Sequence, residues 1–246
     1  MPVSETLIIA ILFFAGAALY ASVGHAGASA YLAVMGLYNF TPAAMKPTAL
    51  ALNVLVAAVA TFKFYRAGLF SWKLFWPFAV VSVPAAFIGG ATTLPARWYK
   101  VVVGLVLLYA AVWMIRSSLK PLNVTAHPPP LWAAIVAGLM IGFLSGVTGV
   151  GGGIFLSPLL LYMGWAETRA TSGVAAPFIL VNSIAGLLGH FSSVAELPPS
   201  IPMWGVAVVL GGWLGASYGS KRAPAPVLRQ LLALVLVVAS VKLILF

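Results

Sequence analysis

The chain contains no cysteine. Disulfides, thiolate nucleophiles and zinc–thiolate sites are therefore excluded. Acids are nearly as scarce: Glu5, Glu167 and Glu196 are the three carboxylate side chains, and each falls near the end of an apolar run. A carboxylate proton relay or a sodium site built from acids has nothing to draw on at membrane depth. No nucleotide-binding motif is present, so ATP could act only through another chain. With no thiol, no buried acid and no His–carboxylate pair, acid–base or metal catalysis lacks its parts. The expectation is a protein that is not an enzyme and holds no cofactor or metal.

Charge is rare altogether, at 7% of residues, and 63% of the chain is hydrophobic. A soluble domain carries about a quarter of its residues charged. The apolar segments are continuous runs of roughly 20 residues rather than alternating ten-residue strands, which excludes a β-barrel and predicts an all-α membrane protein. The net charge of +10 arises from 13 Lys and Arg standing singly between apolar runs. That placement points to topology and contact with anionic membrane lipid, not to nucleic acid. The N-terminus does not read as a signal peptide, because Glu5 precedes the apolar stretch and no Lys or Arg does.

Apolar runs fall at about 6–23, 28–38, 42–62, 72–92, 95–116, 131–147, 154–165, 170–190, 201–220 and 226–246. A linker at 117–130 ends in Pro128, Pro129 and Pro130, which cannot continue a helix. It separates a first repeat, 1–116, from a second, 131–246. Glycines and breaks recur between the two with an offset of about 125 to 130 residues.

Residues 146–153, Gly-Val-Thr-Gly-Val-Gly-Gly-Gly, interrupt the second repeat. Five glycines in eight residues cannot hold a stable helix, since each costs about 1 kcal/mol against alanine. The first repeat has a counterpart at 22–28, Ser-Val-Gly-His-Ala-Gly-Ala. Irregular backbone survives in lipid only where protein or a water-filled cavity covers it. Paired breaks in two halves are a pointer to a transporter binding site.

The positive-inside rule chooses between two topologies. If every run crosses, the cations divide six against seven. If each broken segment is a re-entrant hairpin, Lys63, Arg66, Lys73, Arg116, Lys120, Arg169, Lys221, Arg222 and Arg229 share one side, against Lys46, Arg97, Lys100 and Lys242 on the other. Nine against four favours the hairpins. The expected fold is thus two inverted repeats, each of three transmembrane helices plus a broken re-entrant helical hairpin, eight hydrophobic segments in all, with both termini outside the cytoplasm.

At each hairpin tip a second helix is predicted to begin, near Ala28 and near Ile154. Two helix starts converging on one point make an anion site without a buried Lys or Arg. The candidate lining is Gly24, His25 and Gly27 in the first break and Gly149, Gly151, Gly152 and Gly153 in the second, with Ser22, Ser29 and Thr148 as hydroxyl donors. Asn53 and Asn182 lie mid-run in the helices that follow, where an amide faces the bundle interior. Thr48 and Ser172 are candidate helix-start donors, and Lys46 and Arg169 candidate electrostatic funnels at opposite mouths. Interface anchoring competes for those two cations, interhelical glue for the asparagines and plain capping for His25. Gly138 and Gly142, with Gly211, Gly215 and Gly219, have the spacing of close helix packing.

The stretch 142–160 with its glycine run, the weaker copy at 22–28 and the length of the chain resemble the TauE/SafE family of sulfite exporters, also called the four-toluene-sulfonate uptake permease family. The first copy departs from the pattern, with fewer glycines and a histidine. The resemblance implies transport of a small sulfur-containing anion, such as sulfite or sulfoacetate, across a bacterial inner membrane. An anion channel and a non-transporting membrane subunit are the competing readings.

Overall fold

The computed structural model describes residues 3–119, 126–190, 197–221 and 226–245, with 117–119, 226–232 and 235 described as backbone alone. The middle of the linker, Glu196 and Arg222 lie outside the described residues. Among those described, ten helices follow one another: α1 Val3–Ala21, α2 Ala28–Leu37, α3 Pro42–Arg66, α4 Trp72–Ala91, α5 Ala96–Leu119, α6 Leu131–Thr148, α7 Gly153–Tyr162, α8 Thr168–Gly189, α9 Ile201–Gly219 and α10 Pro226–Leu245. Each apolar run has become one helix.

Seven of these are long and apolar enough to cross a membrane: α1, α3, α4, α5, α6, α8 and α9. The first arms of the two expected hairpins, α1 and α6, have 19 and 18 residues, enough by length to cross alone. The second arms, α2 and α7, have ten residues each. At 1.5 Å per residue they reach about 15 Å, half of a hydrocarbon core of about 30 Å. Large apolar side chains such as Ile11, Val80, Leu105, Met140 and Val206 are more than half exposed on the outer faces, which suits a protein whose solvent there is lipid.

Packing follows the small residues. Gly138, Gly142 and Gly146 of α6 lie against the backbone of Phe78, Ser82 and Ala86 of α4. Gly211, Gly215 and Gly219 of α9 lie in the same way against Phe14 and Ala18 of α1 and Ser22 just after it. Both helix pairs are therefore parallel, in register every four residues, and close enough that a methyl group would strike main chain. The packing expectation for Gly138, Gly142 and the three α9 glycines holds, and Gly146 joins them. α3 and α8 run antiparallel at the centre, with Leu50 beside Gly186 and Asn53 beside Ser183. α5 pairs with α10, where the Ser240 hydroxyl donates to the Gly104 carbonyl at 2.7 Å. Phe13 and Tyr31 of the first half interlock with Trp204 of α9 in the core, and the Trp204 indole donates to the Thr6 carbonyl at 3.2 Å.

Two boundaries differ from the sequence reading. The second break is shorter, because α6 continues through Gly146 and Thr148 to a left-handed Gly149 at φ 83°. Gly146 keeps helical form because its bare Cα is what lets α4 approach. Likewise α3 opens at Pro42, with Thr41 before it in extended conformation, and runs through Pro47. Proline costs nothing at a first helical position, which explains the early start. Thr48 and Ser172 therefore sit inside α3 and α8 and are not helix-start donors.

Candidate functional site

The chain is irregular at 22–27 and 149–152, and both gaps close the same way. Gly27 precedes α2 at φ 97° and Gly152 precedes α7 at φ 86°, left-handed conformations that side chains resist. Helices α2 and α7 thus each begin on a glycine with their first N–H groups outside any helical bond. The breaks touch: His25 Nε2 lies 3.1 Å from the Gly153 carbonyl, and Nδ1 lies 3.1 Å from that of Val23.

The second break rests on α3 and α8. The Asn53 amide nitrogen donates to the Val150 carbonyl at 3.1 Å and faces the Ser183 hydroxyl at 3.4 Å. A side chain at Gly151 would meet that nitrogen at 2.6 Å and Ser183 Oγ at 2.8 Å. Gly152 faces Phe178, Ile141 and Ser145, and Gly153 faces Ile179 and the His25 ring. In the first break, Gly24 at φ 78° presses against the backbone of Ser172 at the start of α8. Apolar walls with a few inward polar groups suit a small ligand.

Several expected donors are committed locally. The Thr148 hydroxyl donates to the Leu144 carbonyl at 2.7 Å, and its own carbonyl accepts from the Tyr99 hydroxyl at 3.1 Å. Ser22 Oγ donates to Leu19 at 2.7 Å, and Ser172 Oγ to Thr168 at 3.2 Å. Thr148 and Ser172 are helical and back-bond to the preceding turn, the usual habit of such hydroxyls. Ser29 is buried in the first turn of α2. Thr48 Oγ1 and the carbonyl oxygens of Asn53 and Asn182 are buried with no hydrogen-bond partner among the described residues. The Asn182 nitrogen turns back to Phe178, 2.9 Å away on its own helix.

Lys46 is buried, and its ammonium donates to the carbonyls of Gly89 at 3.2 Å, Gly90 at 2.7 Å and Thr92 at 3.1 Å. It caps the negative end of α4 instead of standing at an open mouth. Its backbone also borders Gly149. His190, at the end of α8, reaches the same Gly90 carbonyl through Nδ1 at 3.2 Å. Arg169 is exposed and donates to the Ser220 carbonyl at the end of α9 at 3.3 Å.

Two further residues join the cluster. Ser145 sits on α6 facing Gly152, its hydroxyl buried and unpartnered among the described residues. Ser183 meets Asn53 across α3 and α8. It lies 130 residues after Asn53, within the repeat offset, but so does its neighbour Asn182, and no sequence signal separates the two.

Sequence similarity places the chain among known proteins. The profile of the sulfite exporter TauE/SafE family matches residues 8–243. A probable membrane transporter protein of Sinorhizobium fredii is 45% identical over 244 residues, covering 98% of this chain and 99% of the relative. A probable membrane transporter protein of another Sinorhizobium is 25% identical over 194 residues, 75% of this chain and 72% of its own. One from Methanocaldococcus jannaschii is 26% identical over 129 residues, 51% of this chain and 48% of its own. No solved structure matches the chain significantly. On the full-length profile match and the 45% identity, the chain belongs to the TauE/SafE family and is an integral membrane protein of transporter type.

Proposed function

We propose that the protein is a secondary transporter that exports a small sulfur-containing anion, sulfite or an organosulfonate such as sulfoacetate, across the bacterial inner membrane by alternating access. The observation that carries this reading is the meeting of two glycine-led helix starts, α2 and α7, through His25 and Gly153. N–H groups at a helix start carry partial positive charge and bind oxyanions without a side chain. Ser145 adds a buried hydroxyl facing that point. Lys46 adds a positive charge bonded only to carbonyls, which no carboxylate cancels in the contacts described. The proposed substrate site is therefore the two breaks with Ser29, Asn53, Thr48, Ser145, Asn182 and Ser183 around them.

Many alternating-access transporters are built from two halves related by inversion, and we take these as 1–116 and 131–246. The support is an exchange of partners. α4 pairs with α6 as α9 pairs with α1, both parallel, while α3 meets its counterpart α8 antiparallel. Lys46 at the start of α3 caps α4, and Arg169 at the start of α8 caps α9.

Thermal stabilisation of the purified protein by sulfite, sulfoacetate, sulfate and chloride at equal ionic strength tests the substrate class. A ligand of the native state raises its apparent stability with occupancy. Selective stabilisation by a sulfur oxyanion, abolished by Gly152→Leu, is the expected result. Equal behaviour of all four anions contradicts the reading.

A further inference from the structure

Tyr20 stands in the last turn of α1, 3% exposed, and its hydroxyl has no hydrogen-bond partner among the described residues. A buried donor left unmade is expensive, more so in the low dielectric of a membrane interior. A helical serine or threonine escapes that cost by turning back to the carbonyl four residues earlier, as Thr148 does. The phenol of a tyrosine is carried too far from its own backbone for this, so its hydrogen needs another group. Tyr31, buried at the same break, commits its hydroxyl to the Ala26 carbonyl at 2.7 Å. Tyr20 has no such outlet.

The orphan lies at the start of α2. Its hydroxyl faces Ser29 in the first turn of that helix, and its ring meets the His25 ring edge-on, with centroids 6.2 Å apart. Two facing hydroxyls carry two hydrogens and can use one between them, so a donor is left for a third group. The second break has a match. Tyr20 comes four residues before Gly24, and Ser145 four before Gly149, the first left-handed glycine of each break. One spacing, 125 residues, relates Tyr20 to Ser145, Gly24 to Gly149, and Gly27 to Gly152. Ser145 faces Gly152, which precedes α7, and its hydroxyl is likewise buried and unpartnered among the described residues. Each helix start thus has one uncommitted hydroxyl beside it, delivered by the helix that leads into the break.

We propose that Tyr20 is a substrate-binding residue, whose hydroxyl donates to the anion held at the start of α2 as Ser145 donates at the start of α7. The inference rests on the anion-site reading above and adds to it a residue that selects ligands by their acceptors. A ligand with no acceptor at this point leaves the phenol unpaired, which is how such a site rejects it. The empty protein carries the unmade bond as a loss of stability, and the bound anion relieves it.

That exchange separates a ligand contact from a structural one. Tyr20→Phe removes the hydroxyl and keeps the ring. The purified full-length protein is unfolded thermally over a series of sulfite concentrations. Without ligand, Tyr20→Phe is expected to be as stable as the wild type or more so, because no bond is lost. Its affinity for sulfite is expected to fall about ten- to a hundredfold, the effect of one hydrogen bond to a charged group. Tyr162→Phe, at an exposed ring on the end of α7, is expected to change neither. Should Tyr20→Phe not fold, fluorotyrosine in place of Tyr20 keeps both ring and hydroxyl, and its fluorine NMR resonance is expected to move when sulfite is added. A resonance that stays in place overturns the role of Tyr20 and leaves the anion site standing. So does a Tyr20→Phe variant that keeps wild-type affinity, or one less stable than the wild type without ligand. A wild type that sulfite does not stabilise overturns both.

Discussion

The His25 ring lies 3.1 Å from the carbonyl oxygen of Gly153, 128 residues further along the chain, and so joins the first break directly to the second. Gly153 is the first residue of α7, and its Cα faces His25 Cδ2 because it carries no side chain. A contact of this kind brings the two breaks together, as the proposed single site requires.

Gly151 and Gly68 separate the effect of backbone strain from that of crowding. Both are left-handed, at φ 82° and 71°, but Gly68 has open space where Gly151 meets Asn53 and Ser183. Gly68→Ala is expected to cost only the conformational term of about 1–2 kcal/mol and to leave anion binding intact. Gly151→Ala should displace Asn53 and abolish binding; thermal unfolding with and without ligand reads both effects.

The packing glycines should behave differently. At Gly142 a Cβ would overlap the Ser82 backbone, and at Gly215 that of Ala18. Gly142→Leu is expected to destabilise by about 1–3 kcal/mol or more, because neither helix can give way. What protein survives should keep the wild-type order of anion affinities, measured by the same thermal shifts.

Lys46 and Arg169 occupy related places with unequal commitments. Lys46→Met takes one donor from each of the carbonyls of Gly89, Gly90 and Thr92; Gly89 keeps the Thr92 N–H and Gly90 keeps His190, so a cost of about 1–3 kcal/mol is expected, that of one acceptor left unmade. Arg169 is exposed and makes one long bond, so Arg169→Gln should change stability by less than about 0.5 kcal/mol. Denaturation of the two variants in detergent distinguishes them.

The proposed inversion of the two halves predicts sidedness. Ala67 lies between α3 and α4, and Pro199 stands just before α9, the equivalent turn of the second half. On this cysteine-free background, Ala67→Cys and Pro199→Cys are expected to react with impermeant thiol reagents from opposite faces of the membrane. Reaction from the same face contradicts inversion.

Much of this was legible because run length and glycine spacing act locally. The four-residue spacing of Gly211, Gly215 and Gly219 announces a close helix contact wherever the partner lies. The starts of α2 and α7 were readable to within a residue, since only glycine sustains the left-handed turns before them. Partners were not legible. Nothing local tells that the Lys46 ammonium ends on three carbonyls of α4, or that Ser183 and not Asn182 meets Asn53, because those pairings depend on how α3, α4 and α8 cross. The persistence of α6 through Gly146 and Thr148 is a tertiary override of the same kind: α4 packs there and holds the helix.

The most direct test of the account is flux. The protein in sealed proteoliposomes, given labelled sulfite and an imposed gradient, is expected to accumulate the label above its external concentration, and Gly152→Leu to abolish this. Label that only equilibrates, or that moves no faster than in protein-free vesicles, would contradict a secondary transporter built around the meeting of His25 and Gly153.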